Sequence, residues 1–295
     1  MGIKPMDVEK AVSERYSAGA RAVEETLCCP VDYDPGLLKA IPKEILERDY
    51  GCGNPTPFVR PGDTVLDLGS GAGKACYLAA QLAGRNGRVI GIDMNDEMLQ
   101  LARKHRPSFA ERVGYDNVEF RKARIQDLRV DLELLEERLR ERPNRSLDDP
   151  ARLEEIRSRL AADHPLVADG SIDCIVSNCV LNLVRKEDRI RLFQEIFRVL
   201  RNGGLAAISD IVSDQPIPAS LQEDPKLWSG CISGAFQEKD FLRAFEDAGL
   251  HGMEIVARGE KPFAVVEGIE FHSITVTARK GKAKPRSENR GASCC

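Results

Sequence analysis

The chain of 295 residues suits one large domain or two small ones, and its 42% hydrophobic content is ample for a core. A net charge of −4 implies no general attraction to nucleic acid or to membrane surfaces. No apolar run approaches about eighteen residues and no signal-peptide pattern is present, so we predict a soluble, cytoplasmic protein. Nine cysteines, an odd and high number, favour metal-binding, catalytic or buried thiols over a fully paired disulfide framework.

The first part of the chain is predicted to be helical, with cysteines in its loops. Apolar residues recur at helical spacing over residues 7–25, and a turn containing the pair Cys28-Cys29 follows. A short helix is expected over 37–48. Cys52 then lies in a loop, because glycines flank it and prolines follow it. We predict that residues 1–60 form a lid over the site described next.

A strand, a glycine-rich turn and a helix follow one another from Thr64 onward. The glycines Gly69, Gly71 and Gly73 let the backbone turn tightly and approach a ligand. The N-terminus of the predicted helix 74–83 offers N–H groups behind them. A second strand ends in Asp93, whose carboxylate suits the two hydroxyls of a ribose. This stretch therefore predicts a nucleotide or nucleoside site at the start of a Rossmann-like sheet.

The spacing of the glycines narrows the range of possible ligands. A dinucleotide fingerprint would place its third glycine at position 74, which is Lys74 here. The sequence Asp67-Leu-Gly-Ser-Gly-Ala-Gly73 instead resembles the first motif of class I S-adenosylmethionine methyltransferases. The resemblance implies that the loop wraps the amino-acid part of S-adenosylmethionine, and that residues after the second, third and fourth strands complete the site. The cofactor residues implied in this way are Asp67, Gly69, Gly71, Gly73, Asp93, Met94, Ile125, Gln126 and Asn178.

The remaining elements extend the sheet in βαβ order, which predicts parallel strands with right-handed crossovers. The Rossmann-like domain is assigned to 61–215, with a charged helical hairpin inserted at 128–168 whose two helices are joined by a turn at 143–150. A substrate-binding region is assigned to 216–279 and a disordered tail to 280–295. The other elements are expected as helices at 96–106, 187–200 (closed by Asn202-Gly203-Gly204) and 238–248, and strands at 118–120, 172–177, 205–211, 253–257 and 270–278.

Three cysteines lie where an acceptor for a methyl group should be held. Ligands of parallel sheets bind at the carboxyl ends of the strands, and Cys179 follows the fourth strand there. Cys52 and Cys231 lie in other glycine-flanked loops, whereas Cys76 and Cys174 lie in regular elements and read as core residues. Three thiolates suit one thiophilic ion. Zinc is one candidate, although no C-x₂-C pair supports it, and As(III) is the other, since it needs three thiolates and keeps a lone pair.

The order of these motifs resembles arsenite methyltransferases from about residue 12 to 279, apart from the insertion. The matching segments are Cys28-Cys29-Pro-Val-Asp-Tyr, Asp49-Tyr-Gly-Cys52-Gly, Asp67-Leu-Gly-Ser-Gly71, Ser177-Asn-Cys179-Val-Leu-Asn-Leu183 and Cys231-Ile-Ser-Gly-Ala235. The resemblance implies that Cys52, Cys179 and Cys231 bind As(III). It also implies a fourth catalytic cysteine, Cys28 or Cys29, that forms a disulfide with Cys52 during turnover.

The expected fold is therefore α/β: a Rossmann-like class I methyltransferase sheet with an inserted helical hairpin and a small C-terminal α+β arsenic-binding part. The expected reaction is transfer of the methyl group of S-adenosylmethionine to arsenite, giving methylated arsenicals and S-adenosylhomocysteine. Its partners are arsenite, thiol-bound or methylated arsenicals, and thioredoxin or glutathione as reductant. Two other functions stay open: methylation of a small organic acceptor such as a quinone or sterol, and non-catalytic binding of arsenite by a sensor or scavenger.

Overall fold

The computed structural model of the chain describes residues 8–24, 31–141 and 150–281. Cys28, Cys29, Cys294 and Cys295 lie outside these ranges, as do the predicted turn at 143–150 (except Pro150) and the predicted tail beyond residue 281. The helices are α1 (Val8–Arg21), α2 (Pro35–Leu38), α3 (Lys43–Leu46), α4 (Lys74–Ala83), α5 (Asp96–Val113), α6 (Leu132–Glu141), α7 (Pro150–Asp163), α8 (Arg189–Val199), α9 (Ala219–Gln222), α10 (Pro225–Ser229) and α11 (Glu238–Asp247).

The strands form one mixed sheet in the order β3-β2-β1-β4-β5-β9-β7. The first five are parallel, and β9 runs antiparallel to both of its neighbours. The Rossmann-like class predicted from the sequence is therefore confirmed. The strands are β1 (Thr64–Leu68), β2 (Arg88–Asp93), β3 (Val118–Lys122), β4 (Ile172–Asn178), β5 (Leu200–Ser213), β6 (Phe236–Gln237), β7 (His251–Arg258), β8 (Ala264–Val266) and β9 (Ile269–Arg279).

Alternate side chains of the central strands feed two cores on opposite faces of the sheet, as expected for strands buried on both sides. On β1, Val65 packs against α4 and α5, whereas Leu66 and Leu68 pack with α8 and α11. The second core contains the aromatic residues Phe193, Phe236, Phe241 and Phe245, whose neighbouring rings meet edge to face or tilted. These two layers of helices hold the carboxyl edge of the sheet rigid beneath the loops of the site.

The inserted hairpin has a small core of its own, built around Val130, Leu135 and Leu160. Ion pairs attach it to the sheet. Lys122 on β3 reaches Glu136 of α6 at 2.8 Å, and Arg157 of α7 pairs with Asp127 after β3. The hairpin is thereby docked on the chain that leads away from β3.

Several boundaries differ from those predicted. The expected helix at 37–48 is two short helices, and α5 continues through Pro107 to Val113. Asn202-Gly203-Gly204 does not cap α8, since Leu200 is already extended and β5 begins there. The short strands β6 and β8 were not predicted, because two or three residues carry too little pattern to be recognised.

Ile190 is a further correction. Its helical spacing from Phe193 predicts a place on the apolar face of α8, but its exposed fraction is 73%. It is the second residue of the helix and lies outside the core that contains Leu192, Phe193 and Ile196. Among the described residues, no helix is both long and apolar enough to cross a membrane.

Replacing Phe245 by Ala should lower the free energy of unfolding by about 3–5 kcal/mol, because it leaves a cavity beside Phe193 and Phe241. Urea denaturation followed by circular dichroism measures the change. The control is Ile190→Ala, which removes an exposed apolar side chain and should change stability by no more than about 0.5 kcal/mol. Equal losses in the two variants would contradict this description of the core.

Candidate active site

The glycine turn between β1 and α4 is tied to the end of β2. The N–H groups of Gly69 and Ser70 donate to the carbonyl of Ile92 at 2.8 and 2.9 Å. The N–H of Gly71 donates to the Asp93 carboxylate at 2.8 Å, and that of Asn95 donates to its other oxygen at 2.8 Å. Burial raises the pKa of Asp93, while these backbone donors oppose the rise. The predicted ribose acid is thus oriented from both sides.

A cavity lies above this turn, at the carboxyl edge of the sheet. It is lined by every predicted cofactor residue except Gly73, namely Asp67, Gly69, Gly71, Asp93, Met94, Ile125, Gln126 and Asn178. Gly73 has a left-handed backbone, with φ of 92°, and precedes α4 without capping it by a side chain. A Cβ placed on Gly71 would meet no atom within 4 Å. The open side of the turn and the uncapped helix fit a polar, elongated ligand such as S-adenosylmethionine.

Asp67 lies at the floor of this cavity and is almost completely buried. Burial raises its pKa to about 7, and the Cys76 thiol opposes the rise by donating to the carboxylate at 3.1 Å. Cys76 is itself buried beneath the turn, and Cys174 is buried within β4, as the sequence predicted for both.

The structure brings Cys52, Cys179 and Cys231 together in one buried cluster, each from a different loop. Cys179 directly follows β4 and lines the cavity; Cys52 precedes the strands, and Cys231 follows α10. Cys179 and Cys231 both have φ of 63°, in the left-handed region where a side chain costs about 1–3 kcal/mol. Two of the three thiols are therefore held by strained backbone, which is typical of functional sites.

The neighbouring thiols favour the protonated form of Cys179. Hydrogen bonding to Cys231 and to Cys52, together with burial, raises the pKa of Cys179 well above the usual range. The Cys231 thiol donates to the carbonyl of Cys179 at 3.2 Å. The bond that it accepts from Cys179 lowers its pKa, but burial outweighs that bond and the net shift is upward.

Asn178 was predicted to contact the cofactor, and it does line the cavity, but its amide is engaged by the loop of Cys52. Its oxygen accepts from the N–H groups of Cys52 and Gly53 at 2.8 and 3.0 Å, and its nitrogen donates to the carbonyl of Gly53 at 2.7 Å. A Cβ on Gly51 would lie 2.0 Å from that nitrogen, so only glycine fits there. Asn178 therefore fixes Cys52 relative to β4.

Asp210 on β5 was not recognised from the sequence. One of its carboxylate oxygens and the sulfur atoms of Cys52 and Cys179 lie within 4.8 Å of one another. Its two oxygens already accept bonds from the N–H groups of Leu181, Asn182 and Ile211 and from the Asn182 amide. Burial raises its pKa to about 7. An acid beside Cys179 at the same edge of the sheet was the available signal, since β4 and β5 pair in register there.

The helix α1 forms one wall of the cavity, through Glu9, Val12, Ser13 and Tyr16. The Asn95 amide holds it by donating to the Ser13 carbonyl and the Ser17 hydroxyl at 3.1 and 2.9 Å. Burial raises the pKa of Tyr16 well above its usual value, and the nearby Cys231 and Cys179 raise it further. Tyr16 thus belongs to the surroundings of the thiols, although the sequence showed it only as an apolar position of a helix.

A Rossmann-like sheet with its ligand cavity above the first glycine turn is the architecture of a class I methyltransferase. A family model described as a methyltransferase domain matches residues 60–161 and 155–249. The chain belongs to this methyltransferase-domain family.

Individual relatives carry a more specific resemblance. The chain is 36% identical over 239 residues to an arsenite methyltransferase of Halobacterium salinarum, which covers 78% of this chain and 50% of that protein. It is 36% identical over 249 residues to an arsenite methyltransferase of Aquipseudomonas alcaligenes, covering 83% and 61%. The chain thus spans about half to three-fifths of these relatives.

A solved structure agrees with the sequence relatives. An arsenic(III) S-adenosylmethionine methyltransferase from Chlamydomonas reinhardtii superposes with a TM-score of 0.67 at 29% identity, covering 86% of this chain and 76% of that one. The resemblance to arsenite methyltransferases found in the motifs is therefore confirmed.

The Asp67→Asn variant should flatten the pH dependence of stability of the ligand-free protein. The folded-state pKa of about 7 exceeds the usual 3.8, so the folded state binds the extra proton between these values and stability falls as the pH rises. Without that group, stability should fall less steeply from pH 5 to 7, by at most about 1.4 kcal/mol per pH unit. Urea denaturation across this range measures the difference, and parallel curves for the two proteins would mean that Asp67 is already ionised at pH 5.

Proposed function

We propose that this protein is an arsenite methyltransferase, in which Cys52, Cys179 and Cys231 hold As(III) for methylation. The observation that carries the proposal is the convergence of these three thiols in one cluster, whose member Cys179 lines the same cavity as the glycine turn. Cys179 belongs to both the thiol cluster and the cavity wall, so an ion on the thiols would adjoin the cofactor site. The relatives named above act on the same ion, which supports this choice of substrate.

The donor set favours As(III) over zinc. Zinc in proteins is almost always four-coordinate, and Asp210 would be the natural fourth ligand. Its oxygens already accept four hydrogen bonds, so recruiting it would break bonds that shape the loop after Cys179. An ion that is satisfied by three thiolates needs no such change.

The substrate is loaded by exchange of thiols on arsenic. Arsenite arrives bound to small thiols, and each cysteine sulfur forms a bond to arsenic as one small thiolate leaves. The raised pKa of Cys179 means that its proton passes to the departing thiolate during the exchange. After three exchanges the arsenic is neutral, tri-coordinate and still carries its lone pair.

Bound S-adenosylmethionine would supply a methyl group on a sulfonium, which makes a neutral thioether the leaving group. The glycine turn, Asp93 and Asp67 would hold the donor, while Cys179 places arsenic against the same cavity. The arsenic lone pair would form the new bond to the methyl carbon while the bond from that carbon to the sulfonium sulfur breaks. S-adenosylhomocysteine would be the leaving group. Positioning accounts for much of the rate, because two bound reactants replace a bimolecular encounter.

The methylated arsenic has given up its lone pair and is formally As(V), so two electrons must be returned. We propose that Cys52 and either Cys28 or Cys29 provide them and become a disulfide, which thioredoxin or glutathione then reduces. The described residues on either side of Cys28-Cys29 contact residues close to Cys52 in the sequence. The N–H of Glu24 donates to the Tyr50 hydroxyl at 3.1 Å, and the Tyr33 hydroxyl donates to the Gly53 carbonyl at 3.2 Å. A reducing compartment such as the cytoplasm suits this chemistry.

Changing Cys52, Cys179 or Cys231 singly to Ser should abolish arsenic methylation, with a loss of at least about 100-fold, because even a 1 Å displacement of a reacting atom costs that much. Purified protein is incubated with S-adenosylmethionine, glutathione and arsenite, and the products are separated by arsenic speciation. The fluorescence of Trp228, the one tryptophan of the chain, reports arsenite binding, because Cys231 donates its N–H to the Trp228 carbonyl at 3.0 Å.

The matched control is Cys174→Ala, which removes a buried thiol outside the cluster and should keep both arsenite binding and methylation. Calorimetry should show that all four variants still bind S-adenosylmethionine. Wild-type protein that binds the cofactor but methylates no arsenic would refute the proposal, and the acceptor would then be sought among small organic molecules.

A further inference from the structure

Lys74 is a charged residue that lines the cavity, and the proposed reaction assigns it no role. It is the first residue of α4, directly after the glycine turn, and it lines the cavity with Gly69 and Gly71. Its side chain is only 12% exposed. The ammonium lies 2.6 Å from the Asp49 carboxylate and 3.8 Å from the centre of the Tyr33 ring. The ion pair and the aromatic ring stabilise the nearly buried cation in this position.

The cofactor proposed above carries one negative group, the α-carboxylate of its methionine part. The acids that line the cavity are Glu9, Asp49, Asp67 and Asp93, and the cations are Arg48, Lys74 and Arg185. An α-carboxylate placed among these acids needs a cation close to the glycine turn.

The three cations differ in their partners and in their positions relative to the glycine turn. Arg48 directs its terminal nitrogens to Glu44 and to the Arg21 carbonyl. Arg185 follows the turn after β4, whereas Lys74 directly follows the glycine turn. The ammonium also has three N–H donors, of which Asp49 takes one.

We infer that Lys74 binds the α-carboxylate of the cofactor, held ready for it by Asp49 and Tyr33; this rests on the proposed function, which supplies S-adenosylmethionine as the ligand. The same contacts reach the thiol loop. Asp49 precedes Cys52 by three residues, and the Tyr33 hydroxyl donates to the Gly53 carbonyl. The residue that binds the carboxylate is thus held by the segment that carries one of the thiols.

The test compares S-adenosylmethionine with its decarboxylated form, with binding measured by calorimetry in the absence of arsenite. A charge-assisted bond to the carboxylate should make wild-type protein bind the intact cofactor at least about 10-fold more tightly than the decarboxylated one. In Lys74→Gln the ratio of the two affinities should fall close to 1. Lys74→Met, which keeps the aliphatic chain, provides the same comparison if the amide prevents folding.

Two further variants keep a cation at the site and should retain the wild-type ratio. Lys74→Arg preserves the charge at this position. Lys43→Gln removes a lysine that is 87% exposed and pairs with Glu47. Loss of the ratio in Lys43→Gln would show that the effect does not belong to Lys74.

If Lys74→Gln lowers the affinity for both ligands equally, the ratio of the two affinities stays unchanged. That result would overturn the assignment and make Lys74 a structural residue. That result would leave the proposed function standing, because the cofactor still binds. Failure of wild-type protein to bind S-adenosylmethionine at all would overturn the proposed function together with the inference.

Discussion

Asn178 is the last residue of β4, and its side-chain amide forms three hydrogen bonds with the loop that carries Cys52. Cys52 belongs to a segment that precedes the sheet, while Cys179 follows Asn178 directly, so this one side chain connects two of the three thiol loops. The fit leaves no room for a side chain at Gly51, whose Cβ would lie 2.0 Å from the amide nitrogen. The position of the candidate substrate site depends on this contact, because nothing in the local sequence of the Cys52 loop fixes it against β4.

The third thiol is placed by a second network that begins at Asp210. Its carboxylate binds the backbone and the amide of Asn182, and the Asn182 carbonyl accepts from Arg189 at 3.2 Å. Arg189 also donates to the Gly234 carbonyl at 2.5 Å, in the loop that follows Cys231. Burial lowers the pKa of Arg189 to about 10, so this cation remains charged and offsets the buried Asp210. The loops after β4 and α10 are therefore joined through the hydrogen bonds of Asp210, Asn182 and Arg189.

The folded protein keeps the thiol cluster stable before any substrate binds to it. Hydrogen bonding to the neighbouring thiols and burial raise the pKa of Cys179, and burial raises the pKa of Cys231 despite the bond from Cys179, so these two sulfurs favour the protonated form. The strained backbone at Cys179 and Cys231 is stabilised by the surrounding apolar residues. In the proposed reaction, an ion that takes three thiolates without leaving net charge would replace the thiol hydrogen bonds at little electrostatic cost.

Most of the fold could be predicted from the sequence, because periodic patterns determine it. The strand, glycine turn and helix from Thr64 to Ala83 lie where the pattern placed them, and the parallel order of the strands followed from the alternation of strands and helices. Predictions failed where a residue's surroundings come from distant parts of the chain. Ile190 has the helical spacing of a core residue but is exposed to solvent, and Asn202-Gly203-Gly204 resembles a helix cap but forms part of β5.

The sequence by itself determined the class of the sheet, the glycine turn with Asp93, and the three cysteines in separate loops, because residue type and spacing carry that information. Only the tertiary structure decided that these thiols meet, that Asn178 faces the Cys52 loop, and that Asp210, Tyr16 and Lys74 belong to the site. The physical reason is that convergence depends on the register of β4 against β5 and on loops packing across the edge of the sheet. The contact between Cys52 and Asn178 joins residues 126 positions apart, and no local pattern records such a contact.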